Sequence, residues 1–155
     1  MEPKPFVIKP SEAPEYVSEN YPRKITPLVN VNSCGAKDMT IHLFKLPPGE
    51  ITRNDIHAVD EVYYVISGRA RIVMGGEGRK IEPPPDSRAR EVIGGETFEV
   101  EPGMVVFIPK NVRHQSTNIG DDELCYLIVF APPTGVPPYW VLEPDNWVRR
   151  DPGKK

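Results

Sequence analysis

The sequence has few of the residues that most often bind metals or form covalent cross-links, with three histidines and two cysteines among 155 residues. The cysteines, Cys34 and Cys125, lie far apart and lack the short spacing of a metal-binding or redox motif. We therefore expect two free thiols in a reducing compartment.

The chain also lacks an excess of either charge, with 19 lysines and arginines against 22 acidic residues and a net charge of −3. Such a balance does not indicate a surface for nucleic acid or for an anionic membrane. No apolar run approaches the roughly 20 residues of a membrane-spanning helix. The first residues, MEPKPFVIKPSEAPEY, contain no apolar signal core. We therefore expect a cytoplasmic protein that has neither nucleic acid nor membrane as a partner.

No long amphipathic helix is evident, and the 19 prolines fall mostly at the ends of short apolar segments. The clearest strand candidates are 39–46, 61–67, 69–74, 96–100, 104–108 and 124–130. About eight or nine short strands separated by glycine and proline turns are typical of an all-β sandwich or barrel. We expect one domain over 1–155, with a barrel core at about 38–131, an N-terminal arm at 1–37 and a C-terminal tail at 132–155.

Two stretches carry the residues best suited to chemistry, GEITRNDIHAVDEVYYVISG at 49–68 and GMVVFIPKNVRHQSTN at 103–118. His57 and Glu61 lie in the first stretch, four positions apart, and His114 lies in the second. If the two segments converge inside a barrel, these side chains form a set of two histidines and one carboxylate. Such a set suits a divalent transition metal and leaves coordination positions open for water, substrate or dioxygen.

The two stretches resemble the two sequence motifs of the cupin superfamily. The positions that match the first motif are Gly49, His57, Glu61 and Gly68. The positions that match the second are Gly103, Pro109, His114 and Asn118. The resemblance implies a double-stranded β-helix, or jelly roll, with an irregular N-terminal arm and C-terminal tail. It also implies a manganese, iron or zinc ion held by the histidines and the glutamate.

Two positions depart from the motifs, because Asp55 replaces a histidine of the first and Asn111 a glycine of the second. In a strand, Asp55 and His57 would face the same side, so Asp55 is a candidate fourth ligand. A second carboxylate would favour manganese or iron, with zinc still possible. Alternatively, Asp55 orients a ligand histidine or lies outside the site. Asn111 is tolerable, since asparagine visits the left-handed backbone conformation more readily than most residues.

The resemblance leaves two classes of function open, because cupins carry out very different chemistry on one fold. The first is a metalloenzyme, either a dioxygenase, an isomerase or a lyase, acting on a small polar molecule with Tyr63 or Asp55 as acid or base. The second is a cupin that binds a small molecule without catalysis. His42, the remaining histidine, could face either side of its strand, and we expect it to be structural.

Two further features concern the surface. The segment 79–95 contains Pro83-Pro84-Pro85 and many charges, which we interpret as a solvated insertion, with a lid over a pocket as the alternative and Gly94-Gly95 as a hairpin turn. Segments 61–67 and 124–130 are apolar on both faces, so their outer faces need cover. We expect the arm to pack over the barrel or a second subunit, and the chain to form a homodimer.

Overall fold

The computed structural model describes residues 1–18, 22–80, 90–133 and 147–153 of the chain. Within these ranges there are twelve β-strands and one short 3-10 turn at Pro10–Glu12. The strands are β1 (Glu15–Ser18), β2 (Lys24–Val29), β3 (Thr40–Leu46), β4 (Asp60–Ser67), β5 (Ala70–Met74), β6 (Glu77–Lys80), β7 (Arg90–Ile93), β8 (Glu96–Val100), β9 (Val105–Ile108), β10 (His114–Asn118), β11 (Leu124–Ala131) and β12 (Trp147–Arg150). No helix in this part of the chain has the length and apolar character needed to cross a membrane.

The strands form antiparallel sheets that share one core. The larger sheet has seven strands in the order β12-β1-β2-β3-β11-β4-β9, and the smaller has three in the order β10-β5-β8. The segment before β4 lies along the other side of β10. Two isolated antiparallel backbone pairings hold it there, Ile51 with Thr117 and Asp55 with His114. The expected all-β double-stranded β-helix is confirmed, and the six strand segments read from the sequence each match a strand to within one residue.

The N-terminal arm and the C-terminal tail both add strands to the larger sheet. Strand β2 pairs with β3, β1 pairs with β2, and β12 of the tail pairs with β1. Residues 6–8 of the arm are not part of a strand. Residues from both ends of the chain therefore reach the barrel wall.

Alternation along β4 decides which of its side chains enter the barrel. Glu61, Tyr63 and Val65 are buried, whereas Tyr64 and Ile66 are exposed, which is the two-residue period of a strand with Glu61 facing inward. The buried residues join a core that includes Leu46 and other side chains with no exposed surface. Each large apolar side chain buried in this way contributes about 1.5–3 kcal/mol to folding.

The outer face of β11 is covered by the arm of the same chain. Cys125 on that face packs with Leu43 of β3 and with Ala13 and Leu28 of the arm. The arm therefore packs over the barrel, which was one of the two expected arrangements. Cys34 and Cys125 are both buried and free, as expected.

The outer face of β4 has no such cover among the described residues. Tyr64 and Ile66 of β4 are 45% and 46% exposed, and Val105 and Phe107 of the paired strand β9 are 66% and 56% exposed. Because β9 ends the seven-stranded order, these four side chains form an apolar row at the edge of the sheet. We call them the β4–β9 row.

Strands β5 and β8 continue beyond the barrel as a narrower ribbon. Strand β6 pairs with β7, and this pairing continues the register of the β5–β8 pairing. Gly75-Gly76 and Gly94-Gly95 stand opposite each other where the two ladders meet. A Cβ on Gly95, whose φ is +80°, would lie 2.6 Å from the Met74 carbonyl oxygen, so glycine is required there.

The described parts of segment 79–95, residues 79–80 and 90–95, are more regular than the sequence suggested. The Gly94-Gly95 pair is a bend in two paired strands and not a hairpin turn, since β7 pairs with β6 and β8 with β5. The prediction was wrong because a glycine pair has the same local signature in a turn and in a bend. The proline run at 83–85, with its proposed roles as insertion or lid, lies outside the described residues.

Two motif positions have clear backbone roles. Gly68 has φ +82°, and a Cβ there would lie 2.7 Å from the Leu124 Cα, so the close approach of β4 and β11 requires glycine. Asn111 has φ 63°, the left-handed conformation expected of it. Its N–H donates to the carbonyl of His57 at 2.6 Å, which ties the second motif to the first.

Candidate metal centre

Three different segments supply the candidate ligands. Glu61 lies near the start of β4 in the larger sheet, and His114 begins β10 in the smaller one. His57 lies in the segment that leads into β4, where its ring meets the edge of Phe130 at a centroid distance of 5.2 Å. The site therefore spans the two sheets at one end of the barrel core.

The three side chains converge on one carboxylate oxygen. Glu61 Oε2 lies 3.3 Å from His57 Nδ1 and 3.2 Å from His114 Nε2. One potential ligand atom from each residue lies within 4.8 Å of those of the other two. The Glu61 side chain is only 3% exposed, so this is an interior group of residues and not a surface ion pair.

Electrostatics keep the carboxylate ionised in this interior position. Burial alone would raise the pKa of Glu61, but the His114 and His57 imidazoles beside it lower that pKa to about 2. Burial would lower the pKa of His114, yet the Glu61 carboxylate raises it overall. The Val112 carbonyl accepts a hydrogen bond from His114 Nδ1 at 3.0 Å, which leaves Nε2 to face Glu61.

The residues present fit a divalent metal ion. Glu61 Oε2 and His57 Nδ1 are buried and make no hydrogen bond of acceptable geometry. Buried polar atoms nearly always have a partner, and a cation among these ligand atoms would provide it. Two imidazole nitrogens and one carboxylate oxygen are a donor set that manganese, iron and zinc all accept.

Asp55 is close to this group without being part of it. Its backbone exchanges two hydrogen bonds of 2.9 Å with His114, and its side chain lines the same cavity. Its carboxylate is not among the ligand atoms that lie within 4.8 Å of one another, which come from His57, Glu61 and His114. The structure thus brings together three of the four predicted ligands, and a ligand role for Asp55 stays a prediction.

His42 faces the cavity, a choice that the sequence had left open. It is buried on β3 and stacks on Phe130 with a centroid distance of 5.6 Å. Burial lowers the pKa of His42 to about 4, so its ring is neutral near pH 7. It is not part of the three-residue group, in keeping with its expected structural role.

The cavity beside the candidate ligands is small and has an aromatic wall. It encloses about 100 Å³ and is lined in part by Phe44, Tyr63, Tyr126 and Phe130. Burial raises the pKa of Tyr63 well above its usual value, so its phenol keeps its proton. Pockets for drug-sized ligands usually measure about 300–1,000 Å³, so this space suits a smaller molecule.

Two arginines also line this cavity, and neither was predicted from the sequence. Arg23 comes from the arm, just before β2, and Arg53 from the segment between β3 and β4. The available signal was weak: Arg23 stands two positions before Ile25, a spacing that puts both on one face of an extended chain. Nothing in the local sequence indicates that this face closes over the barrel.

Comparisons with known proteins agree with this description. A family model described as a cupin domain matches residues 88–130. An uncharacterized protein of Streptomyces coelicolor is 35% identical over 97 residues, which are 63% of this chain and 73% of that protein. The relative supports common descent and assigns no activity.

Several solved structures share the fold. A predicted oxalate decarboxylase from Thermotoga maritima is 21% identical with a TM-score of 0.62, over 83% of this chain and all of that one. An oxalate oxidase in complex with glycolate is 19% identical with a TM-score of 0.58, over 77% of this chain and 55% of that one. An RmlC-like cupin protein from Methanocaldococcus jannaschii is 20% identical with a TM-score of 0.52, over 74% of this chain and 84% of that one. Likeness at these identities concerns architecture alone.

Proposed function

The chain belongs to the cupin superfamily, and from that premise we propose that it is a divalent-metal-dependent enzyme acting on a small polar molecule in the barrel cavity. One observation carries the proposal. The ionised Glu61 carboxylate is buried between two imidazoles, within 3.3 Å of each, beside a cavity of about 100 Å³. A buried anion held in this way is costly unless a cation shares its site.

His57, Glu61 and His114 would hold the ion. When bound, it would supply Lewis acidity and open coordination positions, the chemistry that dioxygenases, isomerases and lyases of this fold share. The chain's own residues supply the rest of the site. Tyr63 offers a protonated phenol as a donor to a substrate oxygen. The aromatic side chains of Phe44, Tyr126 and Phe130 offer apolar contacts to the carbon atoms of a bound molecule.

Metal content measured by plasma mass spectrometry on untagged protein tests the proposal. We expect about one manganese, iron or zinc ion per chain, because a single three-ligand group is present among the described residues. Absence of any of these metals, even after reloading, would overturn the proposal. Metal-loaded protein that binds small molecules and consumes none would instead support the non-catalytic class.

The Asp55→Ala variant, measured in parallel, decides the role of Asp55. Loss of the ion would make Asp55 a fourth ligand, as predicted from the sequence. Retention of the ion would leave the three-residue group as the complete protein ligand set. Because Asp55 is bonded to His114 through its backbone, the alanine variant keeps both of these backbone hydrogen bonds.

We also propose that a second copy of the chain covers the β4–β9 row. The four side chains of the row are uncharged, and β9 is an edge strand whose outer side pairs with no other described strand. A two-fold axis that packs the outer face of β4 and β9 against the same face of a second copy would bury both rows together. Light scattering of the wild type at micromolar concentration is expected to give the mass of two chains. The Phe107→Glu variant is expected to give the mass of one chain. A monomeric wild type would overturn the dimer.

A further inference from the structure

Arg23 is a buried charge brought to the cavity from outside the two motifs. It is only 8% exposed, and it lines the cavity together with Ile25 and Phe44, which pair across β2 and β3. Burial is the main cause of the lowered pKa of His42. The Glu61 carboxylate acts in the opposite direction, and the positive charge of Arg23 lowers the pKa further. The guanidinium therefore lies where its field reaches the interior of the barrel.

The Arg23 guanidinium is held in place by the tail. Its central carbon lies 4.8 Å from the centroid of the Trp147 ring, a cation–π contact between the arm and β12. Trp147 is itself buried, and β12 pairs with β1 next to the same arm. Both ends of the chain thus cooperate to present one positive charge to the cavity, which makes Trp147 a positioning residue.

The charge balance of the cavity changes once a metal is bound. Two arginines and two carboxylates line the cavity, and their charges cancel. They are Arg23, Arg53, Asp55 and Glu61, and the described lining contains no other lysine, arginine, aspartate or glutamate. His42 is neutral near pH 7. A divalent ion would therefore leave a net charge of two positive units in this small space. An anionic occupant would restore neutrality.

The shape and walls of the cavity favour an organic anion. A volume of about 100 Å³ admits few heavy atoms, and the aromatic side chains of Phe44, Tyr126 and Phe130 provide contacts for carbon. Phosphate sites commonly use the N–H groups of a helix N-terminus, whereas the described chain has only a 3-10 turn at Pro10–Glu12. Arginine matches the planar, two-oxygen geometry of a carboxylate.

We propose that the occupant of the cavity is a small carboxylate anion, and that Arg23 and Arg53 bind its carboxylate beside the His57–Glu61–His114 group. This inference rests on the proposed function, since it names the substrate class of the same site. It assigns specificity to the arm and to the segment before β4, while the motif residues provide the metal ligands.

Isothermal titration calorimetry tests the assignment at constant ionic strength, with oxalate, malonate and acetate as probes and malonamide as the neutral control. We expect the metal-loaded protein to bind at least one of the three anions, and not malonamide. Arg23→Gln and Arg53→Gln are each expected to weaken that binding by about 10- to 100-fold, the usual effect of losing a charged hydrogen bond. Arg71→Gln, an equal charge change on an exposed arginine of β5, is expected to leave it unchanged.

The outcomes separate this inference from the proposed function. Each sample is also measured for metal content and for melting temperature. Normal metal content with undiminished anion affinity in both arginine variants would overturn the inference and leave the proposed function standing. Tighter binding of inorganic phosphate than of every carboxylate would overturn the carboxylate assignment. Wild type without metal that still binds the anions through its arginines would overturn the proposed function alone.

Discussion

The His114→Ala variant is expected to lose stoichiometric metal while its barrel stays folded. His114 Nε2 is one of three candidate ligand atoms, and its removal would leave Glu61 and His57 as an incomplete set. Changing a residue that only supports a ligand typically costs about 10- to 100-fold in metal affinity, so losing a ligand should cost more than about 100-fold. Metal content after dialysis, measured by plasma mass spectrometry, checks this.

The fold should survive because backbone contacts hold this part of β10. The N–H and carbonyl groups of residue 114 bond to Asp55, and β10 pairs along its length with β5. Circular dichroism should therefore keep its β-sheet signal. His42→Gln is the matched control, since it alters a buried histidine of the same cavity that lies outside the ligand group. Full metal occupancy in His114→Ala, or loss of metal only in His42→Gln, would contradict the assignment.

The Asn118→Ala variant is expected to lower the free energy of unfolding by about 3 kcal/mol without loss of metal. Asn118 is 1% exposed, and its amide nitrogen donates to the carbonyls of Leu46 and Asp122 at 2.9 Å. Its amide oxygen accepts from the Gly120 N–H at 3.0 Å. Alanine would leave these three backbone groups without this partner, one in a buried and two in part-buried positions, and each such loss costs about 1 kcal/mol. Urea unfolding measures the change.

Asn118→Asp refines the test because it keeps the shape and the acceptor and removes the donor. Its carboxylate would face the carbonyls of Leu46 and Asp122, so we expect it to be at least as destabilising as alanine. Asn118 lies at the opposite end of β10 from His114, and metal content should match wild type in both variants. A variant that keeps its stability and loses its metal would show that the last motif residue serves the site and not the fold.

The sequence was informative where side-chain direction depends only on strand alternation. Once Glu61 was placed inside, the burial of Tyr63 and Val65 and the exposure of Tyr64 and Ile66 followed from the two-residue period of a strand. The motif spacing likewise identified His57 and His114 before any pairing was known. Strand periodicity therefore predicted the all-β class, and the resemblance to the cupin motifs predicted the double-stranded β-helix and the three-residue group.

The remaining features depend on contacts between distant segments. The inward direction of His42 follows from the pairing of β3 with β2 and β11, which its own strand does not encode. Arg23 reaches the cavity because the arm joins the larger sheet, and Trp147 meets it because the tail joins the arm. Gly94-Gly95 was taken for a turn because its true partner, Gly75-Gly76, precedes it by a whole strand pair. Each of these needed knowledge of long-range register.

The paired glycines at the base of the β6–β7 ribbon also separate two parts of the molecule that can vary independently. A Cβ on Gly94 would lie 3.9 Å from the Cα of Gly76, so the chain leaves the barrel and returns to it at nearly the same point. Strands β5 and β8 are already paired below that point. Insertions and deletions between the two glycine pairs therefore place no new demand on the barrel ends. Related chains are free to differ in ribbon length while the candidate metal centre stays unchanged.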